Sequence, residues 1–435
     1  MAQMEKIICF VLFVFCFSFN VSAQYFYTPQ LLAPYIENAP NIISRAAVLV
    51  DAETGTLLYW KNGDDQIPPA SLTKLMTMHL IMKEIEEGRA SYDELVPVTE
   101  ASWAQRQPPR SSLMFLEPGQ IVTLREILLG LAVSSGNDAS VAAALRLAPD
   151  MDAFARLMTL QAREMGLTVT RFVESSGYSN ENMTTANEFT FFCYQYIKMH
   201  PDSLRDFHSV QSFSYPLAVN VPERRRYNFQ TVTQSSNNTL LRTFPGVDGL
   251  KTGFIPDSGY NIALTAEREN TRFVLVLLGA PSEPRVGARI RAQDSTRILT
   301  WAFENFKTVR PDNGERVTEN KGQKAERGAD NQIKIYDGFL KNIKLWKGRE
   351  NSVEIKLAAS AVFTSPADRA NTLSYETVVM GNLTAPLLQD HPIGYLVIND
   401  EYGELNRVPL LTVKAYERGN IFKRIWHSIL LLFKR

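Results

Sequence analysis

The chain has 435 residues with 46 Lys or Arg against 46 Asp or Glu, a formal net charge of +0. This balance removes bulk electrostatics as a reason to expect a nucleic-acid partner. A content of 45% apolar and 21% charged residues excludes a disordered or fibrous chain, and the length leaves room for two domains and a sizeable core.

At the N-terminus, Lys6 is followed by an apolar run from Ile7 to Phe19 and by the small-residue site Val21-Ser22-Ala23. This pattern predicts a signal peptide over residues 1–23, cleaved after Ala23. The run is too short for a spanning helix of about 20 residues. Phe15 ahead of Cys16 is too bulky for lipoprotein processing, so the expected mature protein is exported and not acylated. Cys9 and Cys16 leave with the signal, and Cys193 remains as the inert thiol of an apolar segment, Phe189 to Tyr194. The five histidines show no metal-ligand spacing, so the sequence assigns no metal and no cofactor.

From Ala46 to Trp60 the pattern is a hairpin, with Glu53-Thr54-Gly55 as its turn. Pro68-Pro69 then stops the chain, and apolar residues at helical spacing follow (Leu72, Leu75, Met76, Leu80, Ile81, Ile85). Ser71 falls in the first turn of this helix, with Lys74 one turn on and on the same face. Further helices are expected at Leu124 to Val133, opened by the capping pattern Thr123-x-x-Glu126, at Ala139 to Leu147, at Met151 to Met165 and at Asn187 to His200. Between the first two lies the small polar loop Ser134-Ser135-Gly136-Asn137-Asp138. Pro216 to Thr243, with Arg224, Arg225 and Arg226, reads as a solvated loop. Strands at Gly249 to Phe254, Tyr260 to Ala266 and Arg272 to Leu278 precede a last helix, Gly287 to Asn305. The expected class is α+β, with helices packed on an antiparallel sheet over residues 24–310.

Asn313 to Gln332 is charged and poor in apolar residues and reads as a linker. Short alternating runs beyond it (Val353 to Leu357, Ser374 to Met380, Ile393 to Ile398, Val408 to Val413) predict a small all-β domain, so that residues 311–419 form linker and β-domain. Residues 420–435 make an amphipathic helix too short to span a bilayer. Apolar side chains fill one half of the wheel, Leu431 excepted, with Lys423, Arg424, His427, Lys434 and Arg435 on the other. Such a helix suits the headgroup layer of a membrane surface.

An isolated Ser-x-x-Lys is most often a helix start beside a solvated lysine. Here, however, Ser71-x-x-Lys74 is followed in order by Ser135-Gly136-Asn137 and Lys251-Thr252-Gly253. With the flanks Ser112-Leu113-Met114, Gly246 to Leu250 and Gly259-Tyr260-Asn261, the chain resembles the serine D-alanyl-D-alanine carboxypeptidases, the low-molecular-mass penicillin-binding proteins. The resemblance implies a periplasmic enzyme, peripherally anchored at the outer face of the cytoplasmic membrane. It would remove the terminal D-alanine from peptidoglycan stem pentapeptides and take β-lactams as covalent inhibitors.

In that reading Ser71 is the nucleophile, Lys74 its general base, Ser135 a proton relay, and Asn137 orients Lys74 and the substrate. Lys251, Thr252 and Gly253 bind an extended peptide ending in a carboxylate, assisted by Arg285 or Arg291. The resemblance puts the oxyanion hole at the backbone N–H groups of Ser71 and Phe254. Phe254 stands where relatives often carry a polar residue. No Glu-x-x-Asn occurs between Asn137 and Lys251, so a penicillin adduct is expected to hydrolyse slowly. A DD-endopeptidase on the same scaffold and a catalytically silent penicillin-binding scaffold are the competing readings.

Overall fold

The computed structural model describes residues 25–310, 343–358, 362–370 and 374–433. The expected signal peptide and the 313–332 linker lie outside these residues.

Five antiparallel strands form the main sheet, in the order Leu57–Lys61, Ala46–Asp51, Thr271–Ala280, Gly259–Arg268, Val247–Ile255. Both faces of its middle are covered, so its strands read as continuous apolar runs. Alternate side chains still divide between two cores. Val48, Val50, Val274 and Val276 pack into the larger one. Leu49, Leu275 and Leu277 face the other, with Ile298, Leu299 and Trp301 of the Val286–Asn305 helix. The class is the expected α+β.

The Lys74–Glu86 helix runs through the larger core, buried from Lys74 to Met82. Leu124–Leu129, Asn137–Leu147, Met151–Glu164 and Ala186–Met199 surround it. The Thr123–Glu126 capping box is formed, but the helix it opens widens into a π turn at Gly130–Ser134. The following helix starts at Asn137, two residues earlier than its alanine-rich pattern suggests. Within 216–243, expected as a loop, Val232–Ser235 pairs with Ser212–Tyr215 as a hairpin, and Leu240–Thr243 is a helical turn. The arginines lie between the two strands, in the 3-10 turn Glu223–Asn228, where Arg225 pairs with Glu117.

A third core belongs to a four-stranded antiparallel sheet in the order Ile355–Leu357, Gly403–Thr412, Pro392–Asp400, Ser374–Val379. Phe306–Val309, the strand leaving the last helix, pairs with Phe363–Pro366. Buried Asp51 of the main sheet accepts from the hydroxyls of Thr308 and Thr364, at 2.8 and 2.9 Å. The terminal helix, Ile421–Leu432, is capped by Asn420 and joined to the β-domain where Lys347 N–H donates to His427 Nδ1 at 2.8 Å. Among the described residues no helix is long and apolar enough to cross a membrane.

Candidate active site

The two prolines do not start an α-helix directly. Ala70–Thr73 is a 3-10 turn leading into the α-helix at Lys74, and Ala70 has φ 51°. That left-handed residue lifts Ser71 out of the core into a cleft while Lys74 stays 0% exposed. Two glycines allow the close packing of this turn. A Cβ on Gly177 (φ 83°) would stand 1.7 Å from the Ala70 carbonyl oxygen, and one on Gly253 would stand 2.9 Å from Ser71 N.

Lys74 Nζ lies 3.1 Å from Ser71 Oγ, 2.8 Å from Asn137 Oδ1 and 2.6 Å from the Ser176 carbonyl oxygen. Asn137 Nδ2 donates to Ser111 Oγ at 2.9 Å, which fixes the amide with its oxygen toward the lysine. Burial pushes Lys74 down to about 7, although Glu174 and Asp138 pull the other way. An amine near this value can exist in its basic form at neutral pH.

Ser135 is buried, in the left-handed region at φ 56°. The loop around it is held by Asp138, whose carboxylate accepts from the N–H groups of Met114, Phe115, Leu116 and Ala139 at 2.8 to 2.9 Å. Across the cleft, Lys251 and Gly253 lie on the edge strand, facing the 3-10 turn. Lys251 is 2% exposed. Burial, then the neighbouring cations Lys74 and Arg291, push it well below the usual lysine range. An incoming carboxylate would offset both effects.

Two lobes of about 530 and 740 Å³ share Ser71, Arg110, Ser112 and Phe254. Pro109, Tyr178, Asn180 and Asp257 line the first. The second contains Ser135, Thr252 and Gly253, and adds Arg242, Arg289 and Arg291. Of the two candidate arginines, Arg291 lies here, 7% exposed and with a buried Nε that has no partner among the described residues. Arg285 precedes the same helix, exposed, and lines neither lobe. The Phe254 ring packs on Tyr260 with centroids 4.3 Å apart.

Three contributors carried no signal in the sequence. Glu174 accepts from Ser176 N, Ser176 Oγ, Gly177 N and Asn182 Nδ2, and so shapes the loop that presents the Ser176 carbonyl to Lys74. Ser111 orients Asn137, and Asp138 fixes the strip carrying Ser111 and Ser112. Each acts through contacts at least 22 residues away in sequence or within an irregular loop, where no periodicity marks them.

The sequence profile of peptidase S11, described as D-alanyl-D-alanine carboxypeptidase, matches residues 34–282, and that of the penicillin-binding protein 5 C-terminal domain matches residues 329–418. D-alanyl-D-alanine carboxypeptidase DacC of Escherichia coli is 28% identical over 401 residues, 91% of this chain and 90% of that protein. Among solved structures, penicillin-binding protein 5 from Haemophilus influenzae superposes with a TM-score of 0.69 at 25% identity, covering 87% of this chain and 99% of that one. Penicillin-binding protein D2 from Listeria monocytogenes in its cefotaxime-bound form gives 0.51 at 26% identity, over 61% of this chain and 99% of that one.

Proposed function

The chain belongs to the peptidase S11 family of D-alanyl-D-alanine carboxypeptidases, and from that premise we propose how its own residues carry out the serine hydrolase reaction. The observation that carries the reading is the threefold contact of Lys74. Asn137 Oδ1 and the Ser176 carbonyl can only accept, so a neutral amine spends its two N–H groups on them and turns its lone pair to the Ser71 hydroxyl. Ser71 Oγ then attacks the carbonyl carbon of the penultimate D-alanine as its proton passes to Nζ. The tetrahedral oxygen is taken by the N–H groups of Ser71 and Phe254. The C–N bond breaks, the amine of the leaving D-alanine takes the proton by way of Ser135, and water later cleaves the Ser71 ester. Lys251 and Arg291 hold the terminal carboxylate, Thr252 pairs with the peptide backbone, and Gly253, lacking a side chain, lets this strand close on the Ser71 turn beside it.

A β-lactam places a strained amide at the same carbonyl position and would acylate the same hydroxyl. With no Glu-x-x-Asn carboxylate to activate water, the adduct is expected to persist. After penicillin treatment, intact-mass spectrometry should show one added inhibitor on the wild-type protein and none on Ser71→Ala, which should also release no D-alanine from a pentapeptide. An adduct on Ser71→Ala, or rapid penicillin turnover by the wild type, would contradict the assignment.

The reading extends to residues 24–310 as catalytic domain, 311–419 as linker and β-domain, and 420–435 as a membrane-surface helix of an exported protein. Phe422, Trp426, Leu432 and Phe433 are well exposed on that helix, and Lys423 and Arg424 flank them. The protein is expected to co-sediment with anionic vesicles at low salt, and a chain ending at Gly419 to remain in the supernatant.

A further inference from the structure

A substrate paired with the edge strand depends on where that strand aims its unpaired backbone groups. In an antiparallel strand the N–H and C=O of every second residue share a side. Leu250, Thr252 and Phe254 therefore point the same way; the Thr252 carbonyl accepts from Lys251 Nζ at 3.0 Å, and the Leu250 carbonyl is taken by a side chain from another element. His208, in the Leu204–His208 turn packed beside this strand, places Nδ1 3.2 Å from it. A carbonyl only accepts, so Nδ1 carries the proton. Nε2 then has a lone pair, and the Tyr196 hydroxyl donates to it at 2.7 Å. Both partners are buried, and both nitrogens of the ring are committed. Burial, against the pull of the Leu250 bond, pushes His208 down to about 3, so the imidazole stays neutral. The adjacent His79–His200 pair is separate and is tied to Glu86 instead.

We propose that His208 is a positioning residue for the reaction: by pinning the Leu250 carbonyl it aims the Phe254 N–H at the substrate and sets Lys251, with the Thr252 carbonyl that its ammonium bonds, across from Ser71. The proposal rests on the Ser71 reading above. His208 touches no reacting atom. Its effect is greatest where Phe254 N–H meets the developing oxyanion, so it acts on kcat more than on KM.

His208→Phe keeps a ring in place and loses both hydrogen bonds, whereas His208→Asn keeps a donor at the Nδ1 position. Acylation by benzylpenicillin and peptidase kinetics on a D-Ala-D-Ala peptide would be measured per titratable Ser71 site, beside a thermal midpoint. The Phe variant should be acylated about tenfold more slowly or worse, since complete loss of one oxyanion donor costs about 10²–10³. The Asn variant should recover to within about threefold of wild type. A Phe variant at the wild-type rate, or Asn and Phe variants slowed alike, overturns the proposal. If His208→Phe does not fold, Tyr196→Phe decides: it should slow acylation per folded site, and a wild-type rate there overturns it. Failure of the wild-type protein to be acylated at all would sink the Ser71 reading instead.

Discussion

In the proposed reaction Lys74 serves as base because burial lowers it, and its own ionisation then controls the rate. Its value near 7 lies below the ordinary lysine value of 10.5, so the folded chain releases this proton first. Below pH 7 the lone pair is occupied, and the acylation rate should fall about tenfold per pH unit. Above pH 7 it should level off, as stopped-flow acylation across pH 5 to 9 would show. The stability sign follows from the same shift. Between about 7 and 10.5 the unfolded chain holds a proton that the native chain has lost, so this group's contribution to stability grows with pH across that window. It is least favourable below 7, where an ammonium sits buried. A rate independent of pH between 5 and 8 would remove Lys74 as the base.

At the scale of elements, the site depends on the fit between one 3-10 turn and the loop laid against it. Glu174 folds that loop so that Ser176 meets Lys74 and Gly177 meets Ala70. Gly177→Ala would put a methyl group 1.7 Å from a carbonyl oxygen at a φ of 83°, so the turn carrying Ser71 must shift. A displacement of about 1 Å costs on the order of 10²-fold in a reaction that relies on alignment. The variant should therefore lose about that factor in acylation rate while still giving a cooperative melt. A wild-type rate would mean that the turn holds its shape without the loop.

Across the whole molecule, the catalytic part and the β-domain are joined through buried polar groups as well as by chain. Asp51 ends a central strand and accepts from Thr308 and Thr364, whose strands pair beside it, and Thr54 Oγ1 lies 2.7 Å from Thr364 Oγ1. Asp51→Ala leaves these hydroxyls and the N–H groups of Glu53 and Thr54 without their acceptor. Each unsatisfied buried group costs about 1–3 kcal/mol. Calorimetry should show an earlier, separate transition for the β-domain, with the acylation rate of Ser71 unchanged. A single transition at the wild-type temperature would show that the strand pairing alone couples the two.

The sequence by itself determined the order of the three motifs, the α+β class and the two-part layout, because these rest on local signals. Periodicity marks helices and strands, proline marks the turn before Ser71, and a serine and lysine three residues apart meet within one turn. The tertiary structure alone decided that Lys74 is buried against Ser71 and Asn137 and that Arg291, not Arg285, lines the cleft. It also decided that 216–243 holds a hairpin half and that Glu174, Ser111, Asp138 and His208 belong to the account. Their partners lie on other elements: Ser176 is 102 residues from Lys74, and Leu250 is 42 from His208. Hydrogen bonds of that span leave no spacing to read, because burial and direction are properties of the packed chain and not of its order.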